Sequence, residues 1–354
     1  MNARATALVL GALAVGCSPA RGSAFKLSMA EATRANGAGR DAEAAQAFER
    51  AAATARVPGD AAFARQEAAL AWLRAGDETK GLAGLRALAA DKNQYSAAAQ
   101  YKLAEYNLRK GDPRAAADLE AFLVAHPDTG YARAAFVKVL RGKETDAEAL
   151  AWLAALRPRV AGTDLEQRVA YEHARRLERS ERSEEAREEY LRIADRWPYP
   201  KGVHFDEALV HAAALSKAAG QPKVAIALLE RLLAQRESAH VMGTYEKVAY
   251  AEAAFEIARI HEDPLHDRAA ARAAYHRVYR DFRTATVRDD ALWRESRLWE
   301  ADGHRDEKCA TLRTLVRDFP DSRYVPCAVS ACSIARPKNS GAPATCHDYL
   351  SRTP

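Results

Sequence analysis

One spacing recurs along the chain and restricts what it can fold into. A small residue is followed four and seven positions later by apolar or aromatic ones. The triplets are Ala44–Phe48–Ala51, Gly81–Leu85–Leu88, Ala115–Leu119–Phe122, Ala149–Leu153–Leu156, Ala186–Tyr190–Ile193, Ala225–Leu229–Leu232 and Ala271–Tyr275–Val278. An eighth, Lys308–Leu312–Leu315, opens on lysine. Positions i, i+4 and i+7 share one face of an α-helix, so each triplet marks a helix with one buried stripe. The opening residues lie 37, 34, 34, 37, 39, 46 and 37 apart. A period of this length signals a repeat architecture in which each unit buries its stripe only against its neighbours.

Each marked helix is preceded by another, with a short polar turn between. The last full unit reads "DDALWRESRLWEADGHRDEKCATLRTLVRDFPDS" and an earlier one "QRVAYEHARRLERSERSEEAREEYLRIADRWP". Pro127, Pro198 and Pro320 close units, and Gly76, Gly111, Gly220 and Gly303 stand in the turns, where a helix end takes a left-handed residue. The first helix carries an aromatic and then a small residue three later: Tyr101–Ala104, Tyr171–Ala174, Phe255–Ala258 and Trp293–Ser296.

This skeleton resembles the tetratricopeptide repeat: a small residue midway along helix A, alanine opening helix B, a large apolar residue four on, and a closing proline. The unit "AQYKLAEYNLRKGDPRAAADLEAFLVAHPDTGYA" is similar to the bacterial envelope subtype. That subtype occurs in the lipoprotein of the outer-membrane β-barrel assembly machine and in the repeat protein of the Tol–Pal system. The resemblance implies an all-α, right-handed superhelical solenoid of about eight helical hairpins over 24–335. The small residue opening helix B lets the two helices of a hairpin cross closely. Gly81 and Lys308 depart from it in opposite directions, and the fourth unit has the shortened turn "KETDAEAL".

The N-terminus reads as a secretory signal. Arg4 precedes 12 largely apolar residues, Ala5 to Gly16, followed by small residues at a cleavage point. The run is shorter than the roughly 20 residues of a spanning helix. "ALAVGC" resembles a bacterial lipobox, with Ala14 where leucine is usual. The expectation is a signal peptide over 1–16, a lipidated Cys17 and a tether over 17–23. Ser18 after the cysteine implies, by the same resemblance, the periplasmic face of the outer membrane.

Charge argues against nucleic acid. The formal net charge is +5, but both signs are interleaved: seven basic and seven acidic residues from Arg175 to Arg196, and nine of each from Arg280 to Asp318. A nucleic-acid binder gathers one sign in a stripe. Such mixed runs are solvated helix faces.

Catalytic and metal patterns are lacking. "HEDPLH" (His261 to His266) places its second histidine one residue late for H-E-x-x-H, with Pro264 between. "GAG" at 37–39 has no third glycine, and "SAFK" (Ser23, Lys26) falls beside the tether. The spacing of the late cysteines fits no common zinc pattern. No cofactor or metal is expected, and the chain reads as a non-enzyme.

Cys309, Cys327, Cys332 and Cys346 read instead as a disulfide pair-set for an oxidising compartment. On a helix over 325–335, Cys327 and Cys332 lie about 8 Å apart, beyond the reach of a bridge. If that helix runs back along the last helix B, Cys332 faces Cys309, and the tail over 336–354 returns Cys346 to Cys327. The bridges expected are Cys309–Cys332 and Cys327–Cys346.

By resemblance, position five of helix A faces the concave groove. This puts Tyr171, Phe255 and Trp293 there, with Arg175 and Arg297 one turn on, as partner-binding candidates, although interhelix packing is the plainer role for the aromatics. The resulting expectation is a lipid-anchored periplasmic scaffold that binds other envelope proteins, in β-barrel assembly or related envelope biogenesis. Two further readings are an accessory lipoprotein of a secretion or pilus secretin, and an enzyme or glycan-binding protein.

Overall fold

The computed structural model describes residues 21–235, 248–347 and 350, so Cys17 and the signal segment lie outside the described residues. Among those described, the regular structure is helical, with no strand. No described helix is long and apolar enough to cross a membrane.

The chain, read above as one array over 24–335, divides into two compact units between Glu144 and Thr145. The first contains α1 (Ser23–Gly37), α2 (Asp41–Thr54), α3 (Pro58–Arg74), α4 (Glu78–Ala90), α5 (Ser96–Arg109), α6 (Ala115–Ala125) and α7 (Gly130–Arg141). The second contains α8 (Asp146–Leu156), α9 (Asp164–Arg179), α10 (Ser183–Arg196), α11 (Phe205–Ala218), α12 (Pro222–Leu233) and α13 (Val248–Glu262). It continues with α14 (Arg268–Asp281), α15 (Arg288–Ala301), α16 (Arg305–Asp318) and the short α17 (Val325–Cys332). Within each unit, each helix packs on those before and after it in sequence. Within the first unit α1–α2, α3–α4 and α5–α6 form hairpins, and within the second α9–α10, α11–α12, α13–α14 and α15–α16; the odd-numbered helix of each is helix A and the even-numbered one helix B.

The stripe that defines the repeat is the core. All sixteen residues at the second and third triplet positions, from Phe48 and Ala51 to Leu312 and Leu315, are at most 4% exposed. A fully buried Leu, Val or Phe contributes about 1.5–3 kcal/mol relative to exposure, so these stripes hold the hairpins together. Two departures from the small opening residue have separate causes. At Gly81 a Cβ would come within 2.5 Å of the Leu73 side chain and 2.9 Å of the Ala69 carbonyl; α3 and α4 approach too closely for any side chain. At the other extreme, Lys308 is half-buried and reaches back to Glu300 of α15, so an ion pair joins that hairpin where others use contact.

The turns share one backbone device. A residue with positive φ stands five positions before the opening residue of helix B at Gly39, Gly76, Gly220 and Gly303, and also at Glu181 (59°) and His266 (51°). Gly111 does the same four positions before Ala115. The fourth turn has none: Gly142 sits at φ −78°. The division between the units falls in that turn.

Candidate interaction surfaces

The helix-A aromatics are placed as packing residues. Tyr171 is 9% exposed, and its ring lies 4.1 Å from that of His204, the planes 3° apart. Trp293 is equally buried and stacks on Tyr324 at 4.9 Å. Phe255 is half-buried with its ring edge-on to Tyr275 at 5.2 Å. Each ring contacts a helix of its own or the next hairpin, which removes it as a free anchor. Of the arginines, Arg175 pairs with Glu172 at 3.8 Å. Arg297 pairs with Glu300 at 2.5 Å and lies 5.9 Å from the Trp293 ring. The structure therefore brings Arg297 to Trp293 and packs the three aromatics, while Arg175 stays exposed.

The late cysteines are brought together in pairs. Cys309 of α16 is bonded to Cys332 at the end of α17, and Cys327 to Cys346. Their Cα atoms lie 5.5 and 4.7 Å apart. Around them Leu312, Leu315, Val316, Val325 and Ala328 form one core with Trp293, Tyr324, Ala342 and Leu350. The tail is held down besides: the Ser340 hydroxyl donates to the Pro320 carbonyl, and the Gly341 N–H donates to Asp321 at 2.6 Å. His261 and His266 join no group capable of holding a metal, and none exists among the described residues.

A polar cleft opens in the first unit. It has a volume of about 630 Å³ and lies between the A helices α3 and α5, with Leu70 and Leu73 as its apolar wall. Four cations line it (Arg74, Lys102, Arg109 and Lys110) against two carboxylates, Glu78 and Glu105. Most of this charge is paired. Arg74 donates to Asp41 at 2.9 Å and to Asn36 at 2.6 Å. Lys110 donates to Glu78 at 2.5 Å; that bond raises the lysine and lowers the carboxyl from their ordinary pKa values. Burial pushes the Glu105 carboxyl up, but Lys102 at 3.0 Å and Lys138 at 3.2 Å more than reverse this, and it ends lowered. Arg109 is the exception. Its guanidinium lies 5.9 Å from the Tyr106 ring and has no carboxylate partner among the described residues. The cleft contains no nucleophile beside a base. Chemically it can hold negative charge, with Arg109 as the donor still available and the flanking cations pre-positioned.

Reading the sequence missed this cleft because it followed the aromatics of helix A. The signal was in the charged residues on either side of the small position: Lys102, Glu105 and Arg109 around Ala104.

A tetratricopeptide-repeat family profile matches residues 290–322, which are α15, α16 and the turn after them. No curated protein matches the sequence. Among solved structures, PilF of Pseudomonas aeruginosa is 20% identical, covers 64% of this chain and 93% of its own, and superposes with a TM-score of 0.38. The C-terminal part of a TPR repeat-containing protein from Cytophaga hutchinsonii is 14% identical, covers 76% and 99%, and gives 0.43. A tetratricopeptide repeat protein from Parabacteroides merdae is 11% identical, covers 88% and 100%, and gives 0.27.

Proposed function

We propose that this chain is a non-enzymatic protein-interaction scaffold, anchored through an acylated Cys17 at the periplasmic face of the outer membrane and acting in envelope biogenesis. The observation that carries the scaffold reading is the α3–α5 cleft. It is preformed, polar and cation-rich, and it offers one arginine not already satisfied by the protein itself. An acidic segment of a partner protein is the ligand this chemistry favours, because Arg holds a carboxylate through paired hydrogen bonds. Two disulfides in one small region support an oxidising compartment. The short apolar run ending at Cys17 supports export and lipid attachment.

The test uses the full-length chain in cells with a photoreactive residue in place of Leu70, on the apolar wall of the cleft, so that Arg109 is kept. Irradiation is expected to give one dominant adduct, lost when Lys102 and Lys110 are both changed to Glu. In parallel, Cys17→Ser is expected to move the protein from the membrane fraction to the soluble periplasm. No adduct from position 70, with adducts elsewhere in the unit, would remove the cleft as the binding site. Unchanged membrane fractionation of Cys17→Ser would remove the anchor.

A further inference from the structure

The second unit contains an opening of different chemistry. Between the A helices α11 and α13 lies a crevice of about 260 Å³, floored by Leu229 of α12 and walled by Val210, Ala213 and Ala214 on one side and Ala253 and Ile260 on the other. It exists because the facing side chains are small. One seam earlier, between α9 and α11, the equivalent space is filled by Tyr171, His204 and His211. At its mouth Val210 keeps 38% of its surface exposed, an unusual position for a valine on a helix that buries its other apolar face.

The only polar groups lining the crevice are two carboxylates, Glu252 and Glu256. Glu256 is already bound by Lys217 and, at 3.3 Å, by Arg259. Glu252 is exposed and has no hydrogen bond or ion pair among the described residues. The chain as a whole carries +5, and with Lys217 and Arg259 taken up by Glu256, Glu252 is the one carboxylate of the rim left for an incoming cation. An apolar space of about 150 Å³ is enough to admit benzene; this one is large enough for a branched aliphatic side chain.

We propose that the α11–α13 crevice is a docking point for an aliphatic side chain of a partner polypeptide that carries a lysine or arginine beside it. The aliphatic group fills the alanine-lined space, and the cation pairs with Glu252. Burial of such a side chain supplies affinity, and the carboxylate supplies selectivity over a neutral or acidic segment. A bare acyl chain would gain nothing from Glu252, which is why the charge complementarity favours a polypeptide. The proposal uses a different unit and different residues from the cleft above, so either can fail alone.

The experiment is a titration of the full-length chain, with labelled Val210, Leu229 and Ile260 methyl groups observed by NMR. The probes are hexylammonium, hexanol, hexanoate and a hexapeptide containing one leucine and one lysine. Hexylammonium is expected to bind at least about tenfold more tightly than hexanoate. The leucine–lysine peptide should shift the same methyls, and its alanine-for-leucine version should not. Glu252→Gln, an exposed substitution that leaves the fold alone, should bring hexylammonium to the level of hexanol. Ala253→Leu should abolish all binding. Equal affinity of the three hexyl compounds for the wild type would overturn the proposal. So would hexylammonium binding without any peptide response, which would mark a small-amphiphile site. A concentration-dependent dimer lost on Ala253→Leu would also overturn it, the occupant then being a second copy.

Discussion

The α3–α5 cleft and the α11–α13 crevice are both openings between consecutive A helices, built on the same hairpin plan, yet one is lined with charge and the other with methyl groups. In the first, Lys102 pairs with Glu105, Lys110 with Glu78 and Arg74 with Asp41, and the space stays open because charged groups stay solvated. In the second, space is left because Ala213, Ala214 and Ala253 do not reach across. The difference teaches that the repeat stripe fixes the backbone while leaving the A-to-A seam free to vary. Whatever specificity such a chain has is written in seam residues outside the repeat stripe.

The largest expected effect breaks the comparison from the filled seam. Tyr171→Ala would make the α9–α11 seam resemble the α11–α13 one. The loss is expected to be about 3–5 kcal/mol, read by denaturant unfolding, because a packed aromatic leaves a cavity that its neighbours do not close. A loss below about 1 kcal/mol would mean that seams in general are loosely held and that the alanine crevice is nothing special.

Next is the dependence of the same filled seam on pH. Both ring nitrogens of His204 are buried without a hydrogen-bond partner. Burial, with a smaller contribution from Arg168, pushes the imidazole down to about 4. The unfolded chain binds this proton near pH 6.5 and the folded chain only near 4, so stability is full above about pH 6.5 and falls as the pH drops towards 4. The loss is expected to reach at most about 3 kcal/mol. His173, also lowered by burial, and Glu295, raised by burial, add slopes of their own. The measurement is therefore the difference between wild type and His204→Phe, which should be constant above about pH 7 and turn against the wild type below 6.

The smallest effect sharpens the comparison from the charged side. Gly81→Ala forces a methyl group against Leu73 and Ala69, and Leu73 lines the cleft. A loss of about 1–3 kcal/mol is expected from overpacking, measured by thermal unfolding. An unchanged midpoint would show that α3 and α4 can separate freely and that the cleft has no fixed width.

Much of this fold was legible because a 3.6-residue period leaves a stripe that no other regular structure reproduces; every residue at the second and third triplet positions is buried. Two turns were not legible. Glu181 and His266 take the left-handed conformation that glycine takes in most of the other turns, and nothing in their chemistry announces it. The candidate sites were read poorly for a different reason. Whether Tyr171 faces a groove or a seam depends on His204, 33 residues later at the N-terminus of α11. Arg109 stands out only because its neighbours find distant partners, as Arg74 does in Asp41. The crevice is a site made of absences, and alanines in an alanine-rich chain carry no signal.

The bridges at α17 have a bearing on how the second unit comes apart. A stack held by nearest-neighbour contacts ordinarily frays from whichever end is free. Here α17, only eight residues long, would be the first element to detach, since a helix so short has little stability of its own. Cys309–Cys332 fastens it to α16, and Cys327–Cys346 fastens the tail to it. That end is closed to fraying while the bonds last, so amide exchange in α17 should be slow with the bridges intact and fast once they are reduced.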